Sequence, residues 1–147
     1  MEKLESDYNM IDWWKKCIFK NYANFRGRAR RSEFWYFALF NIILLVPLYM
    51  LIWFASVNQN LILSGIAGIM CFVFYLGLLI PYLAVAARRL HDQNKSGWNY
   101  LFVLIPFVGS IILLVFFCTD GDRFANNYGE DPKNNGVLEF DFDKNPA

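Results

Sequence analysis

Apolar positions along this chain are gathered into three long blocks, and the charged positions are confined to the segments between and around them. The blocks run from Trp35 to Val57, Leu61 to Ala86 and Trp98 to Cys118, are 23, 26 and 21 residues long, and contain no Asp, Glu, Lys, Arg or His. An uncharged apolar run of about 18 residues or more predicts a membrane-spanning helix, because hydrocarbon offers the backbone no hydrogen-bonding partner except itself. At roughly 1.5 Å per residue, each run is long enough for a hydrocarbon core of about 30 Å, the second with some tilt. The pattern therefore predicts an all-α integral membrane protein with three transmembrane helices, preceded by an amphipathic interfacial helix. None of the runs reads as a removable signal peptide, since the first starts behind an aromatic and charged segment and lacks a short apolar core followed by a small-residue cleavage site.

The preceding helix is expected over residues 7–23. Asp7 can cap it and Asp12 sits near the positive end of its dipole. Ile11, Trp14, Ile18 and Tyr22 recur at helical spacing while Lys15, Lys16 and Lys20 take other positions. Such a helix suits the headgroup layer of an anionic leaflet, and its apolar face is equally able to pack on the protein's own spans. Gly27 permits a turn before the first span, which Ser32 can cap. Three segments follow: 1–34, a cytoplasmic amphipathic helix and Arg-rich juxtamembrane turn; 35–118, a three-helix membrane domain; and 119–147, a polar acidic tail.

Charge orients this arrangement. Residues 1–34 carry eight of the 14 basic residues, the link Asn58 to Asn60 carries no charge, and the link Ala87 to Gly97 sets Arg88, Arg89 and Lys95 against Asp92. Beyond Cys118 there are three basic and seven acidic residues. Short loops rich in Lys and Arg stay cytoplasmic, so three crossings place the amino terminus inside and the tail in the periplasm. Trp14, Trp35, Trp53 and Trp98 are the expected interfacial anchors, each able to keep an indole N–H among headgroups. The third run carries an ambiguity: Pro106 followed by Gly109 also suits a re-entrant hairpin, which would return the tail to the cytoplasmic side.

Composition agrees with a membrane protein, at 56% hydrophobic and 19% aromatic residues. Cys17, Cys71 and Cys118 are far apart in this layout and read as small apolar fillers, and no spacing suggests a metal site or a cofactor. Small residues four apart in the second span, Ser64 with Gly68 and Ala67 with Cys71, would let another helix approach. Expected partners are anionic lipid headgroups, with a second copy of the chain or another membrane protein admitted and nucleic acid not.

Chemistry concentrates at the ends of the spans. Arg28 and Arg31 with Glu33 precede the first span, and Arg88 and Arg89 with His91 and Asp92 follow the second. Planar guanidinium forks at headgroup depth can hold lipid phosphates, and they can equally pair with carboxylates in an intramolecular polar cluster. Adjacent helix positions point about 100° apart, so His91 and Asp92 need not touch, and no nucleophile accompanies them. Asp120 to Pro132 only faintly suggests a calcium loop, lacking its ligand order, and reads as solvated. Glu139, Asp141 and Asp143 alternate with Leu138, Phe140 and Phe142, fitting a short edge strand or disorder.

Three stretches of this text, Phe25 to Trp35, Arg88 to Trp98 and Asn127 to Pro132, the last with its Asn at 126 or 127, together resemble the Gly-Arg-x-x-Arg-x-Glu-Phe-Trp, Arg-Arg-Leu-His-Asp-x-x-x-Ser-Gly-Trp and Asn-x-Tyr-Gly-x-Asp-Pro signatures of domain-of-unknown-function family 805. The resemblance implies a small bacterial inner-membrane protein and no assigned activity. A structural or interaction protein held to anionic lipid by cytoplasmic arginines is the expected function. A transporter or channel subunit would need ionisable groups within the spans, and in the first two only Asn41 offers even a side-chain amide. A membrane enzyme acting on lipid phosphates would need a nucleophile or metal set that the sequence does not offer.

Overall fold

A computed structural model describes residues 7–133. The chain begins with a short helix α1 (Met10–Lys15), which loosens into a π-turn (Lys16–Lys20). Asn9, not Asp7, caps it: the Asn9 side chain accepts from the Asp12 amide while the Asp12 carboxylate accepts from the Asn9 amide, a reciprocal box that satisfies two orphan donors. Gly27, at φ +82°, makes the turn that follows.

Two long helices form the body, α2 (Arg31–Val57) and α3 (Leu61–His91). At 27 and 31 residues they extend about 40 and 46 Å, longer than the hydrocarbon core alone requires. Both therefore run past the expected spans into the charged motifs. Arg30, in extended backbone, occupies the cap position of α2, so Ser32 lies within the helix. The two helices are antiparallel, joined through a tight turn in which Gln59 takes φ +53° and the Asn60 side chain accepts from the Leu63 amide at 3.0 Å. Only 11% of the most apolar window of α2 and 33% of that of α3 is buried. A core helix of a soluble protein hides its apolar surface, whereas these present it outward, as a lipid-facing helix does.

The third apolar run is not one helix. Residues Gly97–Leu104 form a 3-10 segment, the chain reverses over 105–107 with Phe107 at φ +59°, and α4 (Val108–Cys118) returns. Eight residues of 3-10 helix and 11 of α-helix each advance about 16 Å, so the two limbs match and neither crosses a bilayer. Gly97 packs against Ala87 and His91 at the end of α3, and the Cys118 carbonyl accepts from Arg31 at the start of α2, at 2.9 Å. Both ends of the run thus lie at the motif-bearing end of the α2–α3 pair. The expected single helix over 98–118 is replaced by a hairpin, and the described tail residues sit beside the arginine motifs, not at the opposite end. Pro106 lacks the amide that would continue the first limb, and a β-carbon on Gly109 would fall on the Phe102 carbonyl, so glycine is what lets the limbs meet. The apolar tip is exposed, Leu104 at 74% and Phe107 at 86%.

Burial is concentrated at this end of the molecule. Phe34 and Phe37 of α2, Val85 and Leu90 of α3, and Leu113 and Phe117 of α4 form one buried cluster with Cys17 from the π-turn, with the Phe34 and Phe117 rings 4.3 Å apart. The strand-like alternation expected within 138–143 lies outside the described residues.

Candidate polar clasp at the motif-bearing end

Arg88 and Arg89 are neighbours near the end of α3, and the helical turn sends them to different partners. Arg88 reaches Glu33 in the first turn of α2, Nη1 to Oε1 at 2.6 Å. Lys16 Nζ holds the other Glu33 oxygen at 2.9 Å, and the Cys17 thiol donates to Oε1 at 3.8 Å. Glu33 is 1% exposed and Arg88 3%. Two Arg88 nitrogens, Nε and Nη2, have no hydrogen-bond partner among the described residues. Burial first, and the adjacent Glu33 charge second, push the Cys17 thiol up to about 12, while Arg88 and Lys16 act in the opposite direction. Cys17 is therefore a hydrogen-bond donor with almost no thiolate, which removes it as a nucleophile.

Arg89 turns instead to Asp92, which it shares with Arg28 from the loop before α2. Arg28 Nε lies 2.9 Å from Asp92 Oδ1, and both side chains are buried. The rest of the Arg28 fork is satisfied by the tail: it donates to the carbonyls of Phe124 at 2.7 Å, Gly129 at 3.3 Å and Asp122. The Asp122 amide donates in turn to the Asp92 carbonyl at 2.8 Å. Gly121 allows this approach, since a β-carbon there would occupy the position of the Asp92 carboxylate.

Buried guanidinium outnumbers buried carboxylate here, and the end of α4 supplies the difference. The last carbonyls of a helix lack amide partners and carry its partial negative charge. Gln93 donates to the Phe116 and Thr119 carbonyls, Arg89 and Trp35 to that of Phe117, Arg89 to that of Thr119, and Arg31 to that of Cys118. Donors from the first and second motifs therefore cap α4 and fix where the hairpin ends.

His91 stands apart from Asp92, as the 100° separation anticipates. Its ring stacks on Tyr128 with centroids 3.9 Å apart and planes 4° from parallel, and Nδ1 lies 3.2 Å from the Gly27 carbonyl. A carbonyl only accepts, so Nδ1 carries the proton. Burial, reinforced by Arg88, holds the imidazole below its ordinary range against the opposing effect of the Gly27 contact.

Of the residues singled out in the sequence, Arg28, Glu33, Arg88, Arg89 and Asp92 meet in this clasp, His91 flanks it, and Arg31 lies at its rim, 3.2 Å from Asp120. Trp35 donates into the clasp. Trp14 turns inward and donates to Asn41 at 2.9 Å. Trp98 stays exposed near the mouth of the hairpin and Trp53 toward the far end of α2. Sequence reasoning missed Lys16, Gln93 and the tail carbonyls, which carry no side-chain signature. In the third motif it is Asn126 that bonds: it donates to the His91 carbonyl and accepts from the Tyr128 amide, both at 2.9 Å. No group of three or more His, Cys, Asp or Glu that could hold a metal occurs among the described residues.

All three motifs converge here, since Arg28 and His91 meet Gly129 and Tyr128, and Arg30 donates to the Pro132 carbonyl at 2.7 Å. The family described as "Protein of unknown function (DUF805)" matches residues 22–130, the stretch that contains nearly all of this network. The chain belongs to the DUF805 family. It is 42% identical over 122 residues to "Inner membrane protein YhaI" of Escherichia coli (strain K12), covering 82% of this chain and 95% of that one. It is also 42% identical over 123 residues to "Inner membrane protein YhaH" of the same organism, covering 84% and 98%. No solved structure matches. This DUF805 chain is a helical membrane protein, and its relatives' names assign them a membrane and no activity.

Proposed function

We propose that this protein is a structural and interaction protein of the inner membrane. In this reading its arginine motifs lock a cap on the α2–α3 pair, and its outward basic residues, not those arginines, meet anionic lipid. One observation carries the reading: Arg28, Arg88 and Arg89 are buried and each is paired with Glu33 or Asp92, which turns their guanidinium groups into the protein and away from a headgroup layer. Lys15, Lys20 and Arg26 are exposed beside the exposed rings of Phe19 and Phe25, a combination suited to a headgroup layer. The basic excess near the amino terminus favours a cytoplasmic cap, and the hairpin then brings the described tail to the same side.

Thermal unfolding in nanodiscs of zwitterionic or anionic lipid separates the two roles. Arg28→Gln is expected to lower the midpoint equally in both lipids. Lys15→Gln with Lys20→Gln and Arg26→Gln is expected to leave the zwitterionic midpoint unchanged and to reduce the extra stability in anionic discs. Loss of the anionic preference in Arg28→Gln alone would refute the assignment.

A further inference from the structure

Asn41 is the only residue with a side-chain amide inside the apolar runs of α2 and α3, and it is 8% exposed. Its Oδ1 accepts from Trp14 Nε1 at 2.9 Å. An indole N–H can only donate, so the oxygen is the atom facing Trp14, and the opposite end of the amide is the Nδ2 donor. Nδ2 makes no hydrogen bond among the described residues. Asn41 lines a half-open cavity of about 300 Å³ between α2, α3 and the first limb of the hairpin. Tyr75, Tyr82 and Tyr100 line it as well, and their hydroxyls likewise have no hydrogen-bond partner among the described residues. Ile42 and Leu79, both exposed on the outer surface, form an apolar wall beside them.

Asn41 lies ten residues beyond Arg31, about 15 Å along α2, at the depth reached by the hairpin. Hydrocarbon supplies no partner to a polar group there, and an amide without one is costly. A donor fixed in orientation, with three hydroxyls around one cavity, is an arrangement that an acceptor completes.

We infer that this cavity binds a membrane-dissolved molecule through a carbonyl oxygen, with Asn41 Nδ2 as the fixed donor and the tyrosine hydroxyls as adjustable ones. Two membrane constituents present that chemistry: the ester of a glycerolipid and the ring carbonyls of an isoprenoid quinone. In either case the hydrocarbon tail leaves past Ile42 and Leu79 into the bilayer. Trp14 makes the amino-terminal helix part of the site by holding the amide in its donating orientation.

The test releases the full-length protein from nanodiscs holding equal amounts of diester and diether phosphatidylethanolamine with decylubiquinone, and weighs retained adducts by native mass spectrometry. The wild type is expected to retain the diester lipid or the quinone about tenfold over the diether lipid, and which one it retains identifies the source. Asn41→Leu is expected to lose about tenfold of that retention. Should that variant fail to fold, Tyr82→Phe with Tyr100→Phe keeps the rings and is expected to lose about fivefold. Equal retention of diether lipid, or undiminished retention in the variants, would overturn the site.

Discussion

Arg28 Nε and Asp92 Oδ1 sit 2.9 Å apart across 64 residues of sequence, both buried, and this pair ties the loop before α2 to the end of α3. The same Arg28 fork closes on the carbonyls of Asp122, Phe124 and Gly129, so one side chain joins all three family motifs. Removing Asp92 strands two buried guanidinium groups, Arg28 and Arg89, and breaking a buried pair in this way costs about 3–5 kcal/mol. Asp92→Asn is expected to lose stability on that scale in equilibrium unfolding, and Arg28→Gln less, because Asp92 keeps Arg89. The double variant is expected to lose less than the sum of the two, because Arg28→Gln removes one of the charges that Asp92→Asn strands.

Gly109 tests the hairpin itself. A side chain there collides with the Phe102 carbonyl, so Gly109→Ala must push the two limbs apart. A loss of about 1–3 kcal/mol is expected, the usual range for overpacking. Gly68→Ala, where a β-carbon meets nothing within 4 Å, is expected to be nearly neutral in the same unfolding assay.

Acidification is expected to weaken the fold through His91. Its folded pKa lies below the ordinary 6.5, so the unfolded chain takes up the proton first as pH falls. Stability from this group is complete above pH 6.5 and declines as pH falls below that value. Between about pH 7.5 and about pH 5.5 the wild type should lose more thermal stability than His91→Gln. Equal losses in the two proteins would remove His91 from the account.

Cys17 should be inert while the protein is folded. With its thiol pushed up to about 12 and fully buried, it offers almost no thiolate at neutral pH. Maleimide labelling followed by peptide mapping is expected to modify Cys17 only after denaturation. Rapid labelling of the native protein would place it elsewhere than beside Glu33.

The apolar runs of α2 and α3 were legible because hydrocarbon tolerates so few alternatives to a helix. Arg28, Glu33, Arg88, Arg89 and Asp92 were legible as a group, but not their use. Most of the acceptors that hold these arginines are backbone carbonyls, those of Asp92, Phe117, Thr119, Asp122, Phe124 and Gly129, and a carbonyl looks the same at every position of a sequence. The fate of the third run turned on the same point. Pro106 and Gly109 permit a hairpin without requiring one, and the decision rests on Arg31, Trp35, Arg89 and Gln93 supplying donors to the last turn of α4. Asn41 stood out as a lone amide, whereas its link to Trp14 depends on how α1 packs on α2, which helical spacing alone does not set.

The hairpin returns the described tail to the side that carries the arginine motifs, and a reporter fused immediately after Lys133 reads out that side. Green fluorescent protein fluoresces only when it folds in the cytoplasm, and alkaline phosphatase is active only outside it. Fluorescence is expected from the first fusion and no phosphatase activity from the second, matching a reporter placed at the amino terminus. Phosphatase activity after Lys133, with the amino terminus cytoplasmic, would mean that the third run crosses the membrane and that the clasp between Arg28 and the tail does not form.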